Sequence, residues 1–439
     1  MSLPSGFQWG YATASFQIEG STDSDGRGPT VWDKFSQTPG KIRDGTNANF
    51  ACESYAHPLE DIKLMKSYGV TAYRFSISWA RIIPFGGRKD SINAQGIRWY
   101  SELIDQLLKA GITPFVTLFH WDVPLALYDR YGGMLDTEEF ILDFKRYAEV
   151  CFDSFGDRVK HWVTFNEPVV VAQLGYGTGA FAPGHTSDRT KSSVGDTSTE
   201  PWRVIHTQIL AHAHAAQSYR SRKQQGQIGI TFNADWAEPY SSSNEDIEAA
   251  ARKLEFFVAV AADPIFGSGD YPESCKAQLG DRLPSFTDSE KILVKGSSDF
   301  FGLNHYTTNY IRQDPDLPSD TDYMGNVIQS FTREDGTHLG STCGLSWVEM
   351  VLPDVLCDEE RIDYHLRYLD AMEDAITQDG VDVRSYFAWT LADNWEWADG
   401  FSTRFGVTFT EKDDKGRVIK YWPKKSARAI TKWFEKRSV

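Results

Sequence analysis

The chain repeats one local pattern, in which an amphipathic helical segment ends at a glycine and a short, apolar, β-rich run follows. Apolar residues at helical spacing over 59–68 end at Gly69 before the run 72–78, and the pattern recurs around Gly111, before 113–119. Apolar positions with a period near 3.6 and a glycine stop predict helices. Helices that alternate with buried strands in this way predict a parallel sheet made of βα units.

The pattern continues over most of the chain and predicts seven strands. They are expected at residues 7–15, 72–78, 113–119, 161–165, 227–233, 299–306 and 383–390. A long loop with a predicted hairpin at 326–332, turning at 334–336, follows the sixth strand. Since βα units of this kind close into a TIM barrel, the sequence predicts a (β/α)8 barrel that is one strand short and forms a single domain over residues 1–439.

The composition narrows the range of partners. The net charge is −16 and the pI about 5.1, and an acidic protein repels nucleic-acid backbones and anionic membranes. No apolar run has the length of a membrane span, and no secretory signal is visible. The five cysteines are scattered and none forms a Cys-x-x-Cys pair. We therefore expect free thiols in a reducing compartment, no metal site, no nucleic-acid or membrane partner, and a cytoplasmic location.

A carboxylate stands at the end of the fourth predicted strand. In Thr164–Pro168 (TFNEP), apolar residues give way to Asn166, Glu167 and a proline. The loops at the carboxyl ends of barrel strands surround a common cavity, where barrel enzymes place their chemistry. An acid that protonates a leaving oxygen, beside an amide that holds a sugar hydroxyl, suits a glycosidase. The alternative is that Glu167 is only a residue of the turn before a helix and has no catalytic role.

Other predicted strand ends carry polar and aromatic residues in pairs. His120 and Trp121 close the third strand, and Gln17 stands just beyond the first. Trp389 lies near the end of the last strand, and Asn394–Trp397 (NWEW) follows it. A single histidine or tryptophan is usually a core residue. Several polar–aromatic pairs at one end of a barrel instead indicate a sugar site, because sugar rings pack flat on indole faces.

These motifs together resemble family 1 of the glycoside hydrolases, and most nearly its intracellular fungal β-glucosidases. The stretches that carry the resemblance are Phe7–Glu19, Tyr73–Trp79, His120–Pro124, Thr164–Pro168, Gly175–Gly184, Asn394–Trp397 and Arg404–Gly406. The resemblance covers nearly the whole chain. It implies a TIM barrel that releases non-reducing terminal β-D-glucosyl residues with retention, from a small-molecule β-glucoside or cello-oligosaccharide. It implies no cofactor, and it leaves the oligomeric state and the choice among glucose, galactose and fucose open.

The resemblance also implies roles for individual residues. Glu167 would be the general acid/base. The residues that would hold the glycone are Gln17, His120, Asn166, Glu396 and Trp397, with Trp389 as the stacking floor and Phe405 at the side of the pocket. Arg74, Asn304 and Tyr306 would surround the nucleophile. For Arg74 and Asn304 the alternative is that they only satisfy polar groups of the barrel.

The second carboxylate of a retaining pair is missing from the sequence. The family carries it in a Thr-Glu-Asn-Gly motif at the end of the seventh strand, and this motif does not occur in the chain. Only 13 residues separate Trp347 from Arg361, which begins the next helical stripe, whereas a βα unit with its loops needs roughly 30 or more. We therefore expect the seventh strand and the helix before it to be absent. Without the second carboxylate, Glu167 should titrate lower than in a complete relative, unless burial alone raises its pKa.

Three interpretations remain at this point. The chain is a working β-glucosidase, a catalytically impaired sugar-binding pseudoenzyme, or the exon-skipped product of a β-glucosidase gene. One further hypothesis is that the segment 345–352 takes the place of the missing strand and supplies Glu349 as a substitute carboxylate; the alternative is that this segment is a loop or leads into the next helix.

Overall fold

The fold is a curled parallel sheet surrounded by helices, and the computed structural model describes it over residues 3–340 and 356–437. The strands in these ranges are β1 (Gln8–Ala12), β2 (Ala72–Ser76), β3 (Thr113–Phe119), β4 (His161–Asn166), β5 (Gln227–Asn233), β6 (Trp236–Pro239), β7 (Phe301–Asn304), β8 (Thr308–Gln313), β9 (Val327–Ser330), β10 (Ser385–Trp389), β11 (Thr408–Lys412) and β12 (Val418–Pro423).

The α-helices lie mainly between the strands. They span Ser15–Ile18, Val31–Ser36, Pro58–Ser67, Trp79–Ile82, Ala94–Lys109, Leu125–Tyr131, Thr137–Phe155, Pro168–Val170, Glu200–Ser221, Asn244–Leu254, Val260–Phe266, Glu273–Leu279, Asp288–Val294, Glu359–Thr377 and Lys425–Glu435. No helix in the described ranges is long and apolar enough to cross a membrane.

Seven of the strands form one sheet in the order β10-β1-β2-β3-β4-β5-β7, and every neighbouring pair is parallel. This is the predicted TIM-barrel architecture, in which a strand and an outer helix alternate along the chain. Since the strands are parallel, their carboxyl ends lie at the same end of the barrel. The remaining strands form a small sheet, β6-β8-β9, and a hairpin, β11-β12.

The helix Ala94–Lys109 illustrates how the sequence specifies one of these units. Asn93 caps its first turn by accepting a hydrogen bond from the backbone N–H of Gln95. The buried face includes Tyr100, Ile104 and Leu107, which lie three or four residues apart and so share one side of a helix. Gly111 adopts a φ of 77° just past the end, a conformation that only glycine takes without strain, and β3 begins two residues later.

One local prediction needs correction, and another was incomplete. The first strand is shorter than predicted, because the chain turns after Ala12 and the helix Ser15–Ile18 brings Phe16 into a cluster of indole rings. The predicted hairpin forms its turn, with Thr332 bridged to His338, and the strand before the turn also pairs antiparallel with β8, a pairing that the sequence pattern did not predict.

Strands β7 and β10 are the two edges of the seven-stranded sheet in the described part of the chain. On β7, Phe301 is 46% and Leu303 is 56% exposed, whereas Ile228 and Ile230 of the neighbouring strand are fully buried. The expected absence of a seventh barrel strand and its preceding helix depends on chain that includes 341–355, which lies outside the described residues. That expectation stays a prediction, as does the single domain over 1–439.

Candidate active site

Glu167 follows β4 at the carboxyl end of the barrel, and its backbone is held in an unusual conformation. The backbone N–H donates to the carbonyl of Thr231 on β5 over 2.8 Å, and φ is 52°. Trp121 and Trp397, at two other strand ends, also have positive φ, at 76° and 50°. Left-handed backbone at bulky residues is strained, and it often accompanies functional sites.

A chain of hydrogen bonds connects Glu167 to the barrel interior. Asn304 Nδ2, at the end of β7, donates to Glu167 Oε1 over 2.5 Å and to Asn166 Oδ1 over 3.1 Å. Arg74 on β2 donates to Asn166 Oδ1 over 2.6 Å and to Asn304 Oδ1 over 3.4 Å. Arg74 and Asn304 therefore contact the predicted site directly in addition to satisfying polar groups of the barrel.

The loops after β1 and β10 meet on the other side of the cavity. Gln17 Nε2 donates to Glu396 Oε2 over 3.0 Å, to Asn394 Oδ1 over 3.3 Å and to the carbonyl of Trp395 over 3.1 Å. His120 Nε2 lies 3.2 Å from Asn166 Nδ2, which connects this side to the chain of hydrogen bonds around Glu167.

Aromatic rings surround these polar groups. The His120 ring centroid lies 6.0 Å from that of Trp389 and 6.0 Å from that of Trp397. Phe405, Tyr306, Trp389 and Tyr364 pack in one apolar cluster. The structure thus brings together all the residues that the sequence singled out for the site: Gln17, Arg74, His120, Asn166, Glu167, Asn304, Tyr306, Trp389, Glu396, Trp397 and Phe405.

Burial controls the charge of the site. It raises the pKa of Glu167 from 4.5 to about 7, against the opposing effects of the Asn304 hydrogen bond and the Arg74 charge. Burial is the largest cause of this shift, and the charge of Asp235 adds to it; how the pKa compares with that of a complete relative stays a prediction. Burial likewise raises the pKa of Glu396 to about 8, and it holds the pKa of His120 well below its usual value. At neutral pH the site contains a neutral imidazole and carboxyl groups that retain much of their proton.

Several buried polar atoms of the site have no hydrogen-bond partner within the described ranges. They include Gln17 Oε1 and His120 Nδ1. Buried polar groups are normally paired, and unpaired ones that converge on a cavity are available to hold a polar ligand.

Sequence reasoning missed three residues at this end of the barrel. Asn233 ends β5, and neither polar atom of its buried side chain has a partner in the part of the chain that the structure describes. Asn233 alternates along the strand with Phe232, whose ring packs outward on Phe266, so the side chain of Asn233 points inward. A polar residue at an inward-facing position of a strand end was the sequence signal that could have identified it. Asp235 raises the pKa of Glu167. Tyr364 comes from the helix Glu359–Thr377, and no sequence pattern placed it there.

Known proteins resemble this chain in sequence and in fold. The model of glycosyl hydrolase family 1 matches residues 1–351 and 341–437. The chain belongs to glycosyl hydrolase family 1. The family member β-glucosidase 1B from Phanerodontia chrysosporium is 49% identical over 470 residues, with 98% of this chain and 85% of that protein covered. This alignment is longer than the 439 residues of the chain, so the relative contains residues that have no counterpart here.

Solved structures of fungal β-glucosidases superimpose closely on the chain. A β-glucosidase from the fungus Humicola insolens in complex with glucose gives a TM-score of 0.97 at 46% identity, with 100% of this chain and 99% of that chain covered. β-Glucosidase 2 from Trichoderma reesei in complex with Tris gives 0.93 at 46% identity, with 99% of each chain covered. The fold of this family 1 glycosyl hydrolase is therefore the TIM barrel that its sequence predicts.

Proposed function

We propose that this chain binds the terminal β-glucosyl unit of a small β-glucoside or cello-oligosaccharide and that Glu167 protonates the glycosidic oxygen. The observation that carries the proposal is the environment of Glu167, a buried carboxyl with a pKa of about 7 that lies beside an amide chain and a polar–aromatic pocket. The relatives named β-glucosidases support the choice of sugar.

The residues of the pocket have the chemistry that this role needs. Glu167 retains much of its proton at neutral pH and can give it to the leaving oxygen as the C1–O bond breaks. Asn304 orients the carboxyl through Oε1. Gln17, Glu396 and His120 offer donors and acceptors for sugar hydroxyls, and the faces of Trp389 and Trp397 suit the apolar face of a glucose ring.

The retaining reaction also needs a nucleophile, about 5–5.5 Å from the acid. We propose that the chain lacks it and hydrolyses substrates slowly or not at all. The sequence contains no Thr-Glu-Asn-Gly motif, the family model matches as two segments that overlap at 341–351, and the fungal relative has additional residues. Glu349, the hypothetical substitute carboxylate, lies outside the described residues. The second candidate function is accordingly sugar binding without turnover, in the manner of a pseudoenzyme or an exon-skipped product.

Chemical rescue separates these candidates. A 4-nitrophenyl β-glucoside is incubated with the protein, with and without azide. Slow cleavage that azide accelerates at least tenfold, with formation of α-glucosyl azide, is expected if the acid and the pocket are assembled and only the nucleophile is missing. In that step an azide nitrogen bonds to C1, the C1–O bond breaks, and the phenolic oxygen leaves with the electron pair and the proton of Glu167.

Three variants and one binding measurement complete the experiment. Glu167→Gln should slow the rescued reaction, whereas Glu349→Gln should leave it unchanged. If Glu349→Gln abolishes azide-independent cleavage, the substitute-carboxylate hypothesis is right and the nucleophile is present. If azide has no effect but glucose raises the melting temperature, the chain binds sugar without an assembled acid. Loss of that thermal shift in Glu396→Gln would assign the binding to this pocket.

The origin of the chain has its own test. An in-frame exon that encodes Thr-Glu-Asn-Gly at the genomic locus would identify an exon-skipped product, and its absence would favour a pseudoenzyme. The cytoplasmic location and the absence of nucleic-acid and membrane partners remain proposals based on the acidic composition.

A further inference from the structure

Lys424 and Asp393 form a buried ion pair close to the proposed sugar pocket. Lys424 Nζ lies 2.8 Å from Asp393 Oδ1, and the two side chains are 3% and 6% exposed. A buried ion pair contributes little net stability, because the free energy of taking both charges out of water offsets their attraction. Stability alone is therefore a weak explanation for this pair, and the contacts of Asp393 indicate a second role.

Asp393 joins two segments of the chain. Its Oδ1 also accepts a hydrogen bond from the backbone N–H of Gly406 over 3.0 Å. The backbone N–H of Asp393 donates to the carbonyl of Thr408, the first residue of β11, over 2.9 Å. Asp393 thus ties the loop 390–397, which follows β10, to the segment 404–407, which leads into β11.

The two segments touch through their backbones at Gly406. A Cβ at this position would overlap the backbone nitrogen of Asp393 and the carbonyl carbon of Ala392. Since glycine has no Cβ, it permits this close approach of the two backbones. A shift of either segment must therefore displace the other.

Both segments carry residues predicted to hold the sugar. Asn394 and Glu396 lie in the first, and Gln17 Nε2 donates to their side chains over 3.3 and 3.0 Å. Phe405 lies in the second. Polar groups that recognise a ligand lose much of their effect when they are displaced by about 1 Å. The relative position of the two segments therefore affects how well the pocket fits its sugar.

Lys424 lies outside the group of residues predicted to hold the sugar. It directly precedes the helix Lys425–Glu435, and its backbone N–H donates to the carbonyl of Val407 over 2.9 Å. Burial raises the pKa of Asp393, and the charge and hydrogen bond of Lys424 are the largest effects that lower it. Without Lys424, the carboxyl group of Asp393 would take up a proton more readily and would be a weaker acceptor for the N–H of Gly406.

We propose that Lys424 is a positioning residue of the sugar pocket and that its ion pair with Asp393 fixes the loop 390–397 against the segment 404–407. The inference deepens the proposed function, on which it rests for the sugar that the pocket binds. The order of the two segments does not depend on a bound sugar, so it can be measured separately.

Glucose binding to Lys424→Met tests the proposal. The dissociation constant is measured from the tryptophan fluorescence, well below the melting temperature of each protein, and should rise at least tenfold relative to the wild type. The control is Arg88→Met, which removes a cation that lies 2.9 Å from the buried carboxylate of Asp143 on the helix Thr137–Phe155. Arg88→Met should lower the melting temperature and leave the affinity unchanged. An unchanged affinity in Lys424→Met, or an equal loss in Arg88→Met, overturns the proposal.

A double variant shows whether Lys424 acts through Asp393. Asp393→Asn together with Lys424→Met removes both charges of the pair, and the asparagine oxygen can still accept the hydrogen bond from Gly406. Removing both charges avoids the cost of leaving one of them buried alone, so the glucose affinity should return to within about threefold of the wild type. An affinity as weak as that of Lys424→Met would overturn the proposal. If Lys424→Met does not fold, Lys424→Gln replaces it with an expected loss of at least threefold, and an unchanged affinity again contradicts the proposal.

Hydrogen exchange of the sugar-free protein separates this inference from the proposed function. Peptides that cover 390–408 should exchange at least tenfold faster in Lys424→Met than in the wild type, and at the wild-type rate in Arg88→Met. Faster exchange together with a wild type that binds no glucose would refute the proposed sugar binding, while the effect of Lys424 on the two segments would stand. Glucose binding by the wild type together with normal exchange in Lys424→Met would support the proposed function and overturn the role of Lys424.

Discussion

Gln17 and Glu396 lie 379 positions apart in the chain, and a 3.0 Å hydrogen bond joins their side chains. Strands β1 and β10 are parallel neighbours, with Ala12 opposite Trp389, so the loops that follow them emerge side by side. The first and last barrel strands thereby build one wall of the pocket from opposite ends of the sequence.

Replacing Gln17 by Ala should weaken glucose binding about tenfold. The change removes the donor that orients Glu396 and leaves the carboxyl group and Asn394 without that partner, which costs on the order of 1–3 kcal/mol when the groups are buried. Titration of the tryptophan fluorescence measures the affinity. Gln224→Ala, at the opposite end of the barrel where Gln224 donates to the Phe152 carbonyl, is the control and should bind glucose normally. Equal affinity in the two variants would remove Gln17 from the sugar site.

Glu396 should make the stability depend on pH. An unfolded glutamate ionises near pH 4.5, whereas burial raises the pKa of Glu396 to about 8 in the fold. Between these values the folded state binds more protons than the unfolded state, so this stabilising contribution is complete below pH 4.5 and is lost as the pH rises towards 8.

Glu396→Gln has no such proton to lose. Its melting temperature, relative to that of the wild type, should therefore rise by about 3 °C from pH 5 to pH 8.5. Calorimetric scans of both proteins at four or five pH values measure the difference. Melting curves that stay parallel over the whole range would contradict the assignment of a raised pKa to Glu396.

Asn304 should lower the pKa of Glu167, because its amide donates to the charged form of that carboxyl. In Asn304→Ala, Glu167 then keeps its proton to higher pH, and the basic limb of the rescued cleavage of a 4-nitrophenyl glucoside should move upward. A 2,4-dinitrophenyl glucoside is the control, since its leaving group departs without protonation and its rate should lack this limb. An unchanged limb in Asn304→Ala would mean that the hydrogen bond does not influence the acid.

The sequence predicted the barrel well because each βα unit is specified locally. The stripe that ends at Leu107 and the glycine at 111 define a helix stop without reference to the rest of the chain. The motif residues around Glu167 could be predicted equally well from the sequence, because the strand ends of a parallel barrel converge whatever the lengths of the loops between them.

The features of the site that were not predicted depend on packing between residues that are far apart in the sequence. Tyr364 reaches the pocket because its hydroxyl donates to the carbonyl of Tyr306 over 2.7 Å, a contact that no helical periodicity encodes. The ionisation state of Glu167 likewise cannot be predicted from the TFNEP motif, since burial by the assembled barrel shifts the pKa of this carboxyl group. The pairing of β9 with β8 was not predicted for the same reason: β8 precedes β9 by a loop whose length the sequence pattern does not limit.

Truncation of a side chain on the outer face of β7 should destabilise the fold less than truncation of a side chain on the neighbouring strand β5. Leu303 is 56% exposed, whereas Ile230, in the same sheet on β5, is fully buried. Leu303→Ala should therefore lower the free energy of unfolding by about 1 kcal/mol or less, and Ile230→Ala by about 2–5 kcal/mol, because it leaves a cavity in the core. Urea titrations of the two variants give both values. A cost for Leu303→Ala as large as that for Ile230→Ala would contradict the exposure of Leu303 on this face of the sheet.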